Sequence, residues 1–202
     1  TPQTSSQIVT AAYNSLSRGI KEADLVGFLE TAAGAATAGN TDITTASESL
    51  LKSLSAFKGQ GESVGSVADK VFTAVKLGAT NFTELNASLG QGLAVASYGV
   101  KLEELLSVAG TLTKTLGVSF GEAIVRTNGL INVVTGSTDK NRKALKALGV
   151  DYGVAAIRSK GLAAVLDDIR VKSNGSAEAL TQLSGNKRAR EGLLGTLSGE
   201  NY

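Results

Sequence analysis

Two adjacent carboxylate pairs, Glu103-Glu104 and Asp167-Asp168, are the residues best suited by type to acid–base or metal chemistry. Both lie in stretches with helical apolar spacing, and neighbouring residues on a helix point about 100° apart. Neither pair therefore converges on one substrate atom, as general acid–base catalysis requires. The simpler roles are a first-turn interaction with the helix dipole for Glu103-Glu104 and a solvated surface for Asp167-Asp168. The chain has no His and no Cys. That removes the commonest proton-transfer group, the usual soft metal ligands and any disulfide. Asp, Glu, Lys, Ser and Tyr remain available, and a carboxylate metal site stays open on composition. No catalytic residue, metal ligand or cofactor is assigned.

Basic residues form two clusters. Lys140, Arg142, Lys143 and Lys146 span about two helical turns, and Lys187, Arg188 and Arg190 sit together near the end. Such clusters can meet DNA, an anionic membrane or the wall of a protein tube, or simply be solvated. Their shortness and lack of interleaved aromatics favour the solvated face. A net charge of +2 argues against a general nucleic-acid binder, and 4% aromatics without Trp argues against base-stacking platforms. Gly59-Gln60-Gly61 and Gly90-Gln91-Gly92 lack the Lys-Ser/Thr ending and preceding strand of a phosphate loop. The first reads as a helix–helix loop, the second as close helix packing or a kink.

The elements that carry these residues are helices. Pro occurs once, at Pro2, and Ala is abundant. The 24 glycines are less disruptive than their number implies, because Gly followed by an apolar residue is a common helix ending. Gly99-Val100, Gly117-Val118 and Gly149-Val150 have this form. Ser119 to Glu122, Asn81 to Glu84 and Thr45 to Glu48 have capping-box spacing. Leu102, Leu105, Leu106, Ala109, Leu112 and Leu116 make one apolar stripe. Val64, Val67, Val71 and Val75 make a second, and Leu85, Leu89 and Leu93 a third. No segment alternates with period two. Helices are predicted near 6–18, 22–38, 43–57, 63–77, 82–98, 101–116, 119–134, 140–148, 160–172, 176–184 and 186–198. The fold class is all-α, with antiparallel helical hairpins packed as a multi-helix bundle. Gly78, Gly99 and Gly117 are spaced too irregularly for a solenoid. The polar loop Thr135 to Asp139 divides a main bundle, 1–135, from a smaller C-terminal lobe, 136–202, unless the chain is one continuous domain. Large aromatics are expected in the core. The start at Thr1-Pro2-Gln3 reads as a segment of a longer protein, and no apolar run reaches the roughly 18 residues of a membrane span.

An ordered set of short motifs resembles the core region of phage tail tape measure proteins. Ala12-Tyr13-Asn14-Ser15-Leu16-Ser17-Arg18-Gly19-Ile20 is similar to its opening. The Ala-rich stretch ending Ala36-Thr37-Ala38-Gly39 and the Thr-rich Thr41 to Thr45 follow in order. Lys76-Leu77-Gly78-Ala79-Thr80-Asn81-Phe82-Thr83-Glu84-Leu85 is the fullest match, and Leu183-Ser184-Gly185-Asn186-Lys187-Arg188-Ala189 resembles the close. The resemblance covers roughly 10–198.

It implies a structural protein of the virion tail, in the lumen or at an end, reached from the host cytoplasm during assembly. The implied roles are tail assembly, length determination and genome ejection. Implied partners are the tail tube protein, tail assembly chaperones, baseplate or tail-tip proteins and further copies of the chain. Host membrane contact is implied for some members; sequence-specific nucleic-acid binding is not. Two rivals stand beside this reading: a membrane-active helical module for DNA delivery, and a lysozyme-like helical hydrolase, for which no catalytic pair is recognisable.

Overall fold

The computed structural model describes residues 3–77 and 80–197. Among them are twelve α-helices and no strand. The chain divides into two compact units, 1–93 and 94–202. The sequence reading draws the line at 135/136 instead. The polar loop there lies inside the second unit, because helices on either side of it pack on each other.

The first unit holds α1 (Ser5–Ser17), α2 (Glu22–Ala38), α3 (Ile43–Phe57), α4 (Val64–Lys76) and α5 (Phe82–Gly92). Helix α3 is its hub and touches the other four. Its inner faces combine Ile43, Leu50, Leu51 and Phe57 with buried Ser47, Ser49 and Ser53. Small side chains let neighbouring helices approach from several sides. Each serine hydroxyl is satisfied by its own helix, donating to the Thr44, Thr45 and Ser49 carbonyls at 2.9, 3.1 and 3.0 Å. Lys52 Nζ donates to the Asn86 carbonyl and Oδ1 at 2.8 and 2.7 Å, tying α3 to α5.

Helix α3 begins at Asp42, whose carboxylate accepts from Thr45 N–H and the Thr45 hydroxyl at 2.9 and 2.8 Å. Thr45 is thus inside the helix, and the predicted box at Thr45 is not an N-terminus. Asp42 supplies the stronger, charge-assisted cap three residues earlier. Partial burial pushes its carboxyl up, but the hydrogen bonds from Thr45, with smaller ones from the Asp42 and Thr44 backbone, together outweigh this and hold it below the ordinary carboxylate value. A depressed native pKa contributes stability above the unfolded value and loses it as pH falls through the native value. Asp42→Ala should therefore cost about 1 kcal/mol at neutral pH. In urea titrations the gap from the wild type should narrow below about pH 4.

The second unit contains α6 (Leu102–Leu116), α7 (Phe120–Val134), α8 (Asp139–Ala147), α9 (Val154–Lys160), α10 (Leu162–Lys172), α11 (Ala177–Gln182) and α12 (Lys187–Leu197). Helix α7 packs on α6 and α12 and buries Phe120, Ile124, Leu130, Ile131 and Val134. The predicted glycine stops hold: Gly99, Gly117 and Gly149 have φ of 92°, 63° and 70°. Gly78 lies outside the described residues. Ser119 and Asn81 cap their helices, accepting from Glu122 and Glu84 N–H at 3.2 and 2.9 Å.

Two boundaries differ from expectation. The segment 82–98 is α-helical only to Gly92 and tightens into a 3-10 helix over Leu93–Tyr98. Helix α9 falls almost wholly in the gap between the predicted helices 140–148 and 160–172. It is enclosed by Gly153 and Gly161, both at positive φ, with seven helical residues between them.

Candidate interaction surfaces

Neither carboxylate pair forms a reactive centre. Glu104 sits in the first turn of α6, where it accepts from Lys101 N–H at 3.0 Å. Its other oxygen accepts from Ala163 N–H at 3.3 Å, in the first turn of α10. One carboxylate thus satisfies unpaired amides at two helix starts. Glu104→Ala should destabilise the chain by about 1–2 kcal/mol, measured by urea unfolding, because both amides lose their partner. Asp167 pairs with Arg170 at 2.7 Å, and Asp168 with Lys160. The Lys160 ammonium bonded to Asp168 holds that carboxyl below its ordinary value. Among the described residues, no group of acidic side chains is arranged to hold a metal.

The basic clusters lie along the length of α8 and at the start of α12. Lys140, Arg142, Lys143, Lys146, Lys187 and Arg188 are exposed, and Arg190 is half-buried. Arg142 is a structural member: it pairs with Asp139 and donates to the Gly136 carbonyl at 2.6 Å, fixing the α7–α8 turn. Lys187 lies 3.8 Å from Glu191, which also pairs with Arg126 of α7 at 3.1 Å.

Buried Asn141 brings the two clusters together. Its side-chain amide donates to the Leu183 carbonyl at 2.6 Å, joining α8 to the α11–α12 turn. A cleft of about 420 Å³ lies there, lined by Thr138, Lys140 and Asn141 on one side and Gly185, Asn186 and Ala189 on the other. Lys140 Nζ comes within 4.0 Å of where a side chain on Gly185 would begin. The sequence separates the clusters by some forty residues, and nothing in either one signals the contact.

A second surface was not anticipated. Helix α1 exposes Ile8, Val9, Tyr13 and Leu16, with Tyr13 72% exposed, while burying only Ala11 and Ser15. The aromatic expectation fails at Tyr13, although Phe28, Phe57, Phe82 and Phe120 are fully buried.

These features define an all-α structural module with two outward surfaces, one basic and one apolar. The chain belongs to the phage-related minor tail protein family, whose model matches residues 1–189. Its role is accordingly structural, in a phage tail, in company with other tail components. No curated protein and no solved structure matches it.

Proposed function

We propose that this chain is a module of a tape measure protein, serving in tail assembly and length determination and in genome ejection, without enzymatic activity. The family match over residues 1–189 carries the reading, and the ordered motifs of the tape measure core support it. The helices qualify what such a module measures. The longest, α2, has 17 residues and so spans only about 26 Å. A single continuous helix of the whole chain would span about 300 Å. The role is therefore that of a folded module at a tail end or staggered along the lumen, with extended segments elsewhere setting the length.

The test is an in-frame deletion of residues 1–202 from the parent gene, with tail length read by electron microscopy. Little shortening, with a defect in assembly or infection, is the expected result. Shortening by about 300 Å, the rise of a continuous helix of this length, would show that the region is stretched out as ruler.

The exposed apolar face of α1 favours a second reading, a module that acts on membranes during DNA delivery. No helix among the described residues is long and apolar enough to cross a membrane, so forming a pore would require rearrangement. Absence of leakage from liposomes across the pH range would remove this reading.

A further inference from the structure

We infer that the joined α8–α12 surface is a docking site for the phosphate backbone of double-stranded DNA, bound without regard to sequence. Helix α8 carries four cations and one carboxylate, and α12 three cations and one carboxylate. Together they hold a net +5, against +2 for all 202 residues. The remainder of the chain is net acidic, so the excess is local. On these two helices Lys140, Lys143, Lys146, Arg188 and Arg190 have no ion-pair partner among the described residues; elsewhere in the unit Arg126, Lys160 and Arg170 are paired and Lys101, Lys114, Arg158 and Lys172 are not.

The placement is electrostatically unfavourable for the protein alone. Lys187, Arg188 and Arg190 crowd the start of α12, and no acidic residue occupies its first turn. Cations at a helix N-terminus oppose the positive end of the helix dipole. Asn141 then holds the start of α8, with Lys140, beside them. Buried Asn141 and Leu145 fix the inner side of α8, leaving Lys143 and Lys146 on its outer side. An anionic partner at this end of α12 would relieve that unfavourable placement.

Three features select duplex DNA among polyanions. No aromatic residue lies in α8 or α12, and the single ring of Tyr152, half-buried against Gly136 beside Arg142, is not a row on which unstacked bases could stack. None of the exposed large apolar side chains lies on α8 or α12, so nothing there enters the acyl layer of a membrane. Lys140 to Lys146 covers about 9 Å of helix, long enough to meet more than one phosphate of a duplex. The inference stands apart from the tape measure reading.

The test uses the 202-residue chain and a labelled duplex of about 30 base pairs and arbitrary sequence, followed by anisotropy between about 50 and 200 mM salt. Binding should weaken steeply with salt. The variant K143A/K146A/R188A/R190A should bind at least tenfold more weakly at the lower salt, with the salt slope reduced by about 3–4. Its melting temperature should equal or exceed the wild type's, because cations that oppose the α12 dipole are gone. The α8 pair and the α12 pair, removed separately, should each lower the slope by about 1–2. Removing Arg18, Lys21, Lys58 and Lys76 from the first unit should leave the slope unchanged. No binding at low salt, or a slope that the four-residue variant does not change, overturns the inference. Tighter retention on phosphatidylserine vesicles than on duplex also overturns it, in favour of a membrane surface.

Discussion

Gly39→Ala will destabilise the chain by about 3 kcal/mol, the upper range for forcing an extra methyl into a packed core. A methyl built on Gly39 would overlap Cδ2 and Cε2 of Phe82 and lie 3.0 Å from the Ala35 carbonyl. Phe82 is fully buried as the first residue of α5, so the ring can yield only by opening the core. The backbone gives no reason for glycine here, since φ is −90°. An otherwise tolerated substitution fails because of one ring. Phe82→Ala should cost about 3–5 kcal/mol by cavity formation. The double variant should be more stable than the sum of the two costs, by more than about 1 kcal/mol, because the second change removes what the first collides with. Additive losses in urea unfolding would show that the ring does not set the limit at Gly39.

Gly192→Ala should be destabilising by about 2–3 kcal/mol, against the usual gain from replacing glycine in a helix. Helix α12 meets α7 backbone to backbone. A Cβ at Gly192 would stand 2.9 Å from the Arg126 carbonyl oxygen, and one at Gly129 would stand 3.2 Å from Cα of Ala189. A carbonyl inside a helix cannot rotate away, so α12 as a whole would have to lift. That would loosen the Arg126–Glu191 pair and the burial of Leu193 and Leu197. Gly34→Ala, in α2, supplies the opposite sign. That position is exposed with nothing within 4 Å of a built Cβ, so the change should stabilise by about 0.5–1 kcal/mol. Thermal melts of the two variants should move in opposite directions. A gain at Gly192 would mean that the α7–α12 seam is looser than its geometry.

The parts of this fold that are legible in the sequence are the local ones. Gly99, Gly117 and Gly149 announce their helix ends because positive φ is a property of the residue itself, and Ser119 and Asn81 announce starts because their side chains reach amides only three residues on. The stripe from Leu102 to Leu112 is buried as its spacing requires, and only Leu116 at its end is exposed. Legibility fails where the partner is remote. Nothing local marks Gly39, Gly129 or Gly192, yet each makes room for a residue at least forty positions away. Asp42 and Thr45 both have capping chemistry, and only the path of the chain selects Asp42. The members of the basic clusters are evident as charges, but their union depends on Asn141, a polar residue that would pass for part of an exposed helix. Tyr13 fails for the complementary reason: an apolar spacing shows that a face exists, not that this chain covers it.

The pairing of α7 with α12 also fixes an order of events during synthesis. Residues 1–93 have every helix of their unit once Leu93 has left the ribosome, and α3 can gather its neighbours at once. The second unit must wait. Its central helix, α7, leaves one flank uncovered while some fifty further residues are made, because α12 comes last. Closing so long an interval costs loop entropy that only the final contact repays. Until then the nascent chain presents Leu130 and its neighbours to any other apolar surface nearby, which makes the interval between α7 and α12 its period of greatest exposure to misassembly.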